Sequence, residues 1–272
     1  MAPKRVLSIL VSTLLALAAG CRSTSSEDAD KLAYAGASSI SENLFPQFIP
    51  LLQERTKITL NRIETVGSQE GVRYVMDGKA DIGGVTHRLT PAELARKPYV
   101  KVIGYDAVTV LVNTANPITD LSRAQLRGIF TGRITNWKAL GWKDLPIETV
   151  SMAVKKSYGV PKVFRDLILE GADYGPISQE KDFLHLIAPA VEARPNAIGL
   201  VSLAYHAPRA RPLAIDGVAP LPANVRAGTY PLRREVILVA RQAPEGRVKQ
   251  FFDLVLSQDG QAIVGQKFVP LL

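Results

Sequence analysis

The 272-residue sequence predicts an α/β fold in which helices cover mainly parallel sheets. Strand-like and helix-like segments alternate along most of the chain, which is the pattern of such sheets. Apolar residues make up 47% of the chain and charged residues 21%, as in a globular protein. The length suffices for one large domain or two small ones with a sizeable core.

The first half of the chain alternates short apolar segments with helical ones. Strands are predicted at 31–35, 58–63, 81–85 and 100–112, and helices at 41–55 and 71–77. Pro46 and Pro50 weaken the first helix, because proline has no backbone donor. Gly78 suits the C-terminal end of the second helix.

The second half continues the alternation. Strands are predicted at 147–154, 197–201, 212–215 and 234–239, and helices at 123–130, 161–169 and 248–264. Ser122 is a good N-cap for the first of these helices, and the last is interrupted near Ser257. No internal repeat is visible in the sequence.

The N-terminus has the pattern of an export signal. Lys4 and Arg5 precede an apolar run at 6–17, which is shorter than the ~20 residues of a membrane span. Small residues then lead to Cys21, the only cysteine of the sequence. We therefore expect a signal peptide at 1–20 and, because residues 21–31 are Ser-rich and polar, a flexible tether after it.

Residues 18–21 resemble a bacterial lipobox, although Ala18 stands where that box usually has leucine. The resemblance implies lipidation of Cys21 and a membrane-anchored protein that faces the periplasm or the cell exterior. A plain cleaved signal is the alternative. A single cysteine excludes an intramolecular disulfide, so core packing must hold the fold.

Charge and histidine spacing narrow the function. The net charge is +8, but the basic residues are scattered among acidic ones, which does not indicate nucleic-acid binding. A positive balance suits small anions or an anionic membrane surface, and a solvated basic surface explains it equally well. His87, His185 and His206 lack the spacing of a metal site, so we predict neither a metal nor a cofactor.

Three small, hydroxyl-bearing turns each follow a predicted strand and precede a predicted helix, at 36–39, 67–68 and 157–159. Ligands bind at strand C-terminal ends in such sheets, and helix N-termini carry free N–H groups and partial positive charge. If the turns converge, they form a pocket for a dehydrated anion. The alternative is that these residues serve only as turn and cap residues.

Several stretches carry a family resemblance. They include GASSI (36–40), VGSQEG (66–71), IFTGRITNW (129–137) and NAIGLVS (196–202), followed by YPL (230–232). In this order they resemble the phosphate-binding receptors of bacterial ABC transporters, in the type II periplasmic binding protein superfamily. The resemblance covers almost all of residues 32–272.

The resemblance implies a two-lobed fold: two mixed sheets with flanking helices, joined by two hinge crossings, with the ligand in the cleft. We place the crossings near Asn113 and Thr229. Lobe one would then be 32–112 with 229–272, and lobe two 113–228. In relatives the lobes close over the ligand by hinge motion.

The resemblance also implies ligand residues. Ser38 and Ser39 match the family's first ligand loop, and Ser68 matches the hydroxyl donor of the second. Thr86 and His87 fall where relatives carry an acidic or Ser-Arg ligand pair. We expect all five residues to line the cleft.

The third ligand loop departs from the family pattern Arg-x-x-x-Ser-Gly-Thr, of which only Gly159 remains. After a shift of one residue, Ser157 could supply the hydroxyl and Lys155 or Lys156 the cation. Otherwise Tyr158 and Val160 face the cleft while the lysines point to solvent. On either reading we predict that 157–159 line the ligand site.

These features predict a non-catalytic, monomeric lipoprotein that binds an inorganic oxyanion, phosphate first of all, and delivers it to the membrane permease of an ABC transporter. A lipoprotein of altered specificity that senses or presents such an anion is the alternative. A hydrolase using Ser38 or Ser68 with His87 is a remote one. The sequence has no G-x-S-x-G elbow, no P-loop and no metalloprotease motif.

Overall fold

The computed structural model describes residues 30–154, 159–205 and 207–272. The predicted export signal, Cys21 and nearly all of the tether lie outside these residues, as do His206 and the four residues 155–158. Two predicted site residues, Ser157 and Tyr158, therefore fall outside the described part. Within that part, no helix is both long and apolar enough to cross a membrane.

The described strands and helices alternate as predicted. The strands are β1 (Lys31–Gly36), β2 (Thr59–Glu64), β3 (Ile82–Val85), β4 (Tyr99–Asn113), β5 (Asp120–Leu121), β6 (Glu148–Met152), β7 (Gln179–Lys181), β8 (Ala197–Ser202), β9 (Ala210–Pro212), β10 (Ala214–Ile215), β11 (Arg233–Ala240) and β12 (Val269–Pro270). The helices are α1 (Ser38–Asn43), α2 (Phe45–Thr56), α3 (Ser68–Met76), α4 (Pro91–Ala95), α5 (Arg123–Phe130), α6 (Val160–Leu167), α7 (Ile187–Glu192), α8 (Pro222–Ala227), α9 (Gly246–Leu256) and α10 (Gln258–Val264).

Ten of the twelve described strands form two mixed sheets that share β4, and β5 pairs with β10 in a separate two-stranded sheet. The main path runs β2-β1-β3-β11-β4-β8-β6-β7. Strand β1 is parallel to β2 and β3, whereas β11 is antiparallel to both β3 and β4. In the second sheet, β8 is antiparallel to β4, and β6 is parallel to β7 and β8. The predicted class, two mixed sheets with flanking helices, is confirmed.

The shared strand β4 passes from one sheet to the other in its middle. It pairs with β11 up to Ala107 and with β8 from Val108 onward. Strand β11 begins at Arg233, opposite Ala107. Strand pairing therefore favours passages between Ala107 and Val108 and just before Arg233. The lobe boundaries suggested by the sequence, near Asn113 and Thr229, remain a prediction.

Each sheet has its own aromatic core. On the first, Phe48 packs edge-on against Phe251, with ring centroids 5.0 Å apart. On the second, Phe130 packs against Phe164 at 4.8 Å, in a cluster that also holds the fully buried Trp137. The two sheets therefore bury separate clusters of apolar side chains, as two lobes would.

The helix predicted at 41–55 is divided. Helix α1 ends at Asn43, and α2 starts at Phe45 with Pro46 in its first turn. A proline there costs no hydrogen bond, because first-turn N–H groups have no helical partner. The division lets α1 begin at Ser38, three residues earlier than predicted, directly after β1. Helix α3 likewise begins at Ser68, not at Gly71.

Helix α3 packs directly on the end of β1 because Gly71 has no side chain. A Cβ atom there would lie 2.7 Å from the carbonyl oxygen of Ala35 and 2.7 Å from Gly36 Cα. Such distances are far inside van der Waals contact, and both neighbours are backbone. Gly71 therefore brings the loop before α3 close to the loop before α1.

We expect Gly71→Ala to lower the free energy of unfolding by about 1–3 kcal/mol, because the new methyl group overpacks the α3–β1 contact. On helix propensity alone alanine would be the better residue. A loss of stability in this variant would therefore be due to the steric clash. Urea denaturation would measure it. The exposed Gln69→Ala in the same helix is the control and should change stability by no more than about 0.5 kcal/mol. Equal stability of Gly71→Ala and wild type would contradict the close approach.

Candidate functional site

The loop between β1 and α1 is fixed from two sides. The backbone N–H of Ala37 donates to the carbonyl of Gly84 at the end of β3, at 2.9 Å. The Tyr34 hydroxyl donates to the carbonyl of Ala37 at 3.0 Å. Burial raises the pKa of Tyr34, so this hydroxyl keeps its proton and remains a donor. The loop thereby places Ser38 and Ser39 at the cleft.

The loop before α3 lies beside it. The backbone N–H of Gly67 donates to the carbonyl of Gly36 at 3.0 Å, and Gly67 has φ 84, which favours glycine. Ser68, the first residue of α3, is buried, and its Oγ accepts from the Thr86 N–H at 3.2 Å. A hydroxyl can accept and donate at the same time. Ser68 can therefore still donate to a ligand.

Arg234, near the start of β11, supplies a buried cation to these loops. Its Nη1 lies 3.2 Å from Thr86 Oγ1. Its Nε and Nη2 donate to Asp106 Oδ2 at 2.9 and 2.6 Å. The guanidinium thus donates to Asp106 on β4 and to Thr86 just after β3.

Asp106 holds Arg234 from β4, next to the passage between the sheets. Its side chain is fully buried. Its Oδ1 accepts from the Ala107 N–H at 2.7 Å and from the Ser202 hydroxyl on β8 at 3.0 Å. A buried ion pair contributes little net stability against its desolvation cost. The pair therefore fits a binding role better than a stabilising one.

The second sheet supplies the opposite wall of the cleft. Met152 and Ala153 lie at the end of β6, Gly159 and Val160 lie at the start of α6, and the segment 181–184 continues from the end of β7. Gly159 precedes α6 with φ 82, and a Cβ atom on it would lie 3.9 Å from Arg234 Nη1. The N-terminus of α6 thus lies near the guanidinium, with free N–H groups on that side.

Between the two walls lies a cavity of about 350 Å³. The predicted site residues that line it are Ser38, Ser39, Ser68, Thr86 and Gly159. Arg234 lines it as well, together with Lys181 and Asp182 from the second sheet. Hydroxyls, two helix N-termini and an arginine suit an oxyanion. No group of three or more metal-ligating side chains occurs among the described residues.

His87 lies on the other side of Arg234. It lines a neighbouring cavity of about 690 Å³ that also touches Arg234. Its Nε2 lies 3.2 Å from Glu93 Oε2, and its Nδ1 is buried without a partner among the described residues. Neither Ser38 nor Ser68 is among the hydrogen-bond partners of His87. The serine–histidine pair of the hydrolase alternative is therefore not formed.

Arg234 is the site residue that sequence reasoning missed. The sequence predicts only that it opens a strand at 234–239. It offers Lys155 or Lys156 as the cation of the cleft, and both lie outside the described residues. One signal was available: an arginine pair opens an apolar strand, and a buried arginine needs a partner. Strand pairing sends Arg233 to the opposite face, where its guanidinium lies 3.8 Å from the Tyr105 ring.

A two-lobed fold with a cavity between its sheets that is lined by hydroxyls and an arginine is typical of one class of substrate-binding proteins, and sequence comparison agrees. The profile of the PBP superfamily domain matches residues 22–259, so the chain belongs to the PBP superfamily. This is a family of substrate-binding proteins and not of enzymes.

The relatives are more specific. The phosphate-binding protein PstS of Bacillus subtilis is 27% identical, over 98% of this chain and 94% of the relative. A candidate phosphate ABC transporter substrate-binding protein from Clostridium perfringens, solved with bound phosphate, has a TM-score of 0.77 and 26% identity, covering 89% of this chain and 100% of that one. An ABC-type phosphate transport receptor from Vibrio cholerae, at 24% identity, TM-score 0.72 and coverage of 87% and 97%, supports the fold. The resemblance drawn from the sequence is confirmed.

Proposed function

We propose that the protein is an extracytoplasmic receptor that binds inorganic phosphate in the cleft and delivers it to the permease of an ABC transporter. The observation that carries this proposal is Arg234, held by Asp106 at the floor of a cavity with Ser38 and Ser68. The names of the relatives, which are phosphate-binding proteins, agree with it.

The chemistry of the cavity suits phosphate. An anion that leaves water needs a donor for each oxygen, because an unpaired buried acceptor costs about 1–3 kcal/mol. Arg234 offers charge-assisted donors, which are the stronger kind. Ser68 adds a hydroxyl, and the N-termini of α3 and α6 add backbone N–H groups.

The N-terminal sequence supports export and anchoring. A basic start, an apolar run and small residues before Cys21 favour a lipoprotein tethered outside the cytoplasm. A flexible tether would let the receptor reach a permease in the same membrane. We propose that it works there as a monomer.

A purely binding role is favoured over catalysis. A serine nucleophile needs a positioned base, and His87, the predicted base, lies beside Glu93 instead. Asp182 is the one carboxylate among the described lining residues, and it is exposed. We therefore propose that the ligand leaves the site chemically unchanged.

A receptor of altered specificity, for sensing or presentation, is the second candidate. Val160, only 1% exposed, lines the cavity where the family pattern has threonine. Valine cannot donate to an oxygen, so this wall lacks one donor of the family pattern. Such a change would weaken phosphate binding without removing the rest of the site.

Calorimetry with inorganic phosphate tests the proposal. We expect binding by the wild type and at least tenfold weaker binding by Ser68→Ala, which loses a buried hydroxyl donor. Ser122→Ala is the control: it removes the N-cap of α5, which should cost about 0.5–2 kcal/mol of stability and leave phosphate affinity unchanged. No heat with phosphate in the wild type would refute the proposal, and equal losses in both variants would refute the role of Ser68.

A further inference from the structure

One side of the cavity is apolar. Met152, Val160, Phe183 and Leu184 line it from the second sheet, opposite the hydroxyls of Ser38 and Ser68. Phe183 is 54% exposed. A large apolar side chain left open beside a ligand cavity is informative, since the burial of such groups drives folding and binding.

The Phe183 ring packs against one neighbouring ring. It stacks on His185, with centroids 5.5 Å apart and planes 15° from parallel. His185 Nδ1 lies 3.7 Å from Glu42 Oε2 on α1, on the other side of the cleft. The Tyr205 hydroxyl donates to the same Glu42 oxygen at 2.7 Å. The Phe183 ring thus packs on a histidine that contacts the other side of the cleft, and about half of the phenylalanine stays open at the cavity.

The size of the cavity fits more than a bare ion. Its volume of about 350 Å³ lies within the range of roughly 300–1,000 Å³ that is usual for pockets of small organic ligands. Inorganic phosphate has five heavy atoms, all of them polar or bonded only to oxygen, and it cannot use an apolar wall. Most of the lining of small-molecule pockets is apolar, with a few polar groups at defined positions. This cavity likewise has an apolar wall and a small set of polar groups.

We propose that the same cavity binds aromatic phosphomonoesters, with the phosphoryl group against Arg234 and Ser68 and the ring of the ester against Phe183. This rests on the proposed function, because the phosphoryl group uses the same donors. Offset or edge-on packing of two rings adds attraction beyond the area that it buries. We expect the ester to stay intact, because His87 lies beside Glu93 and pairs with neither Ser38 nor Ser68.

Calorimetry with three probes, inorganic phosphate, methyl phosphate and phenyl phosphate, tests this proposal. We expect phenyl phosphate to bind at least fivefold more tightly than methyl phosphate, because only its ring can pack on Phe183. Phe183→Ala should abolish that preference. Leu221→Ala, which removes an apolar side chain that is 58% exposed and does not line the cavity, is the control and should retain the preference.

The outcomes separate the two proposals. If phosphate binds but phenyl phosphate binds no better than methyl phosphate, or if the preference survives Phe183→Ala, the aromatic site is refuted and the phosphate receptor stands. If phenyl phosphate binds with a preference that depends on Phe183 but inorganic phosphate does not bind, the phosphate receptor is refuted and the aromatic site stands. Binding of no probe refutes both proposals. Steady release of phosphate from phenyl phosphate would overturn non-catalytic binding.

Discussion

Replacing Arg234 with glutamine is expected to weaken phosphate binding at least a hundredfold. Glutamine keeps a polar side chain but loses the charge and the planar fork. A hydrogen bond to a charged group contributes about 1.5–3 kcal/mol, so two such bonds to phosphate amount to about 3 kcal/mol or more. Each 1.4 kcal/mol is a factor of ten in affinity. Calorimetry, or competition with a labelled phosphate, would measure the loss.

The neighbouring Arg233 provides a matched control. Arg233→Gln removes the same charge one residue away, from a side chain that packs on Tyr105 and does not line the phosphate cavity. We expect less than a threefold change in phosphate affinity. Similar losses in both variants would show that only the overall positive field matters, and would contradict a specific role for Arg234.

Asp106→Asn is expected to lower the free energy of unfolding by about 3–5 kcal/mol, because it leaves the guanidinium of Arg234 buried without a counter-charge. Asparagine preserves the shape of the side chain and can still accept from Ser202. The loss therefore reports the charge and not the packing. Urea denaturation in phosphate-free buffer measures it.

The double variant Asp106→Asn with Arg234→Gln separates stability from binding. Removing both charges leaves no unpaired ion, so most of the lost stability should return. Phosphate binding should stay lost, since the cation is absent. If the double variant were as unstable as Asp106→Asn alone, the unpaired charge would not be the cause of the instability.

The fold was predictable from sequence wherever local pattern decides it. Helix α5 follows from Ser122 and its apolar spacing, and the structure shows the full capping box with Gln125. The five- and six-residue helices α4, α7 and α8 were not predicted, because so few residues show no helical period. The resemblance returned 229–272 to lobe one, but the place of β11 between β3 and β4 was not predicted, since no local signal specifies a strand partner.

The site residues, too, were predictable only where local sequence signals mark them. Ser38 and Ser68 were found because turn and helix-start signals are local. Arg234 was missed because its role depends on Asp106, 128 residues earlier in the chain. The resemblance grouped His87 with Thr86 as a ligand pair, but the two side chains line different cavities.

The position of β11 within the first sheet has a consequence for biosynthesis. The N-terminal part of a chain emerges first, whether from the ribosome or from the export machinery, and β11 begins only at Arg233 of 272 residues. The strands of the second sheet's main path, β4, β8, β6 and β7, all precede residue 203 and are therefore available before β11. Until β11 is synthesised, β3 and β4 lack the strand that lies between them. Open edges of this kind pair readily with other chains. We expect a polypeptide shortened before Arg233 to keep the main-path strands of the second sheet but to expose the edges of β3 and β4, and therefore to aggregate.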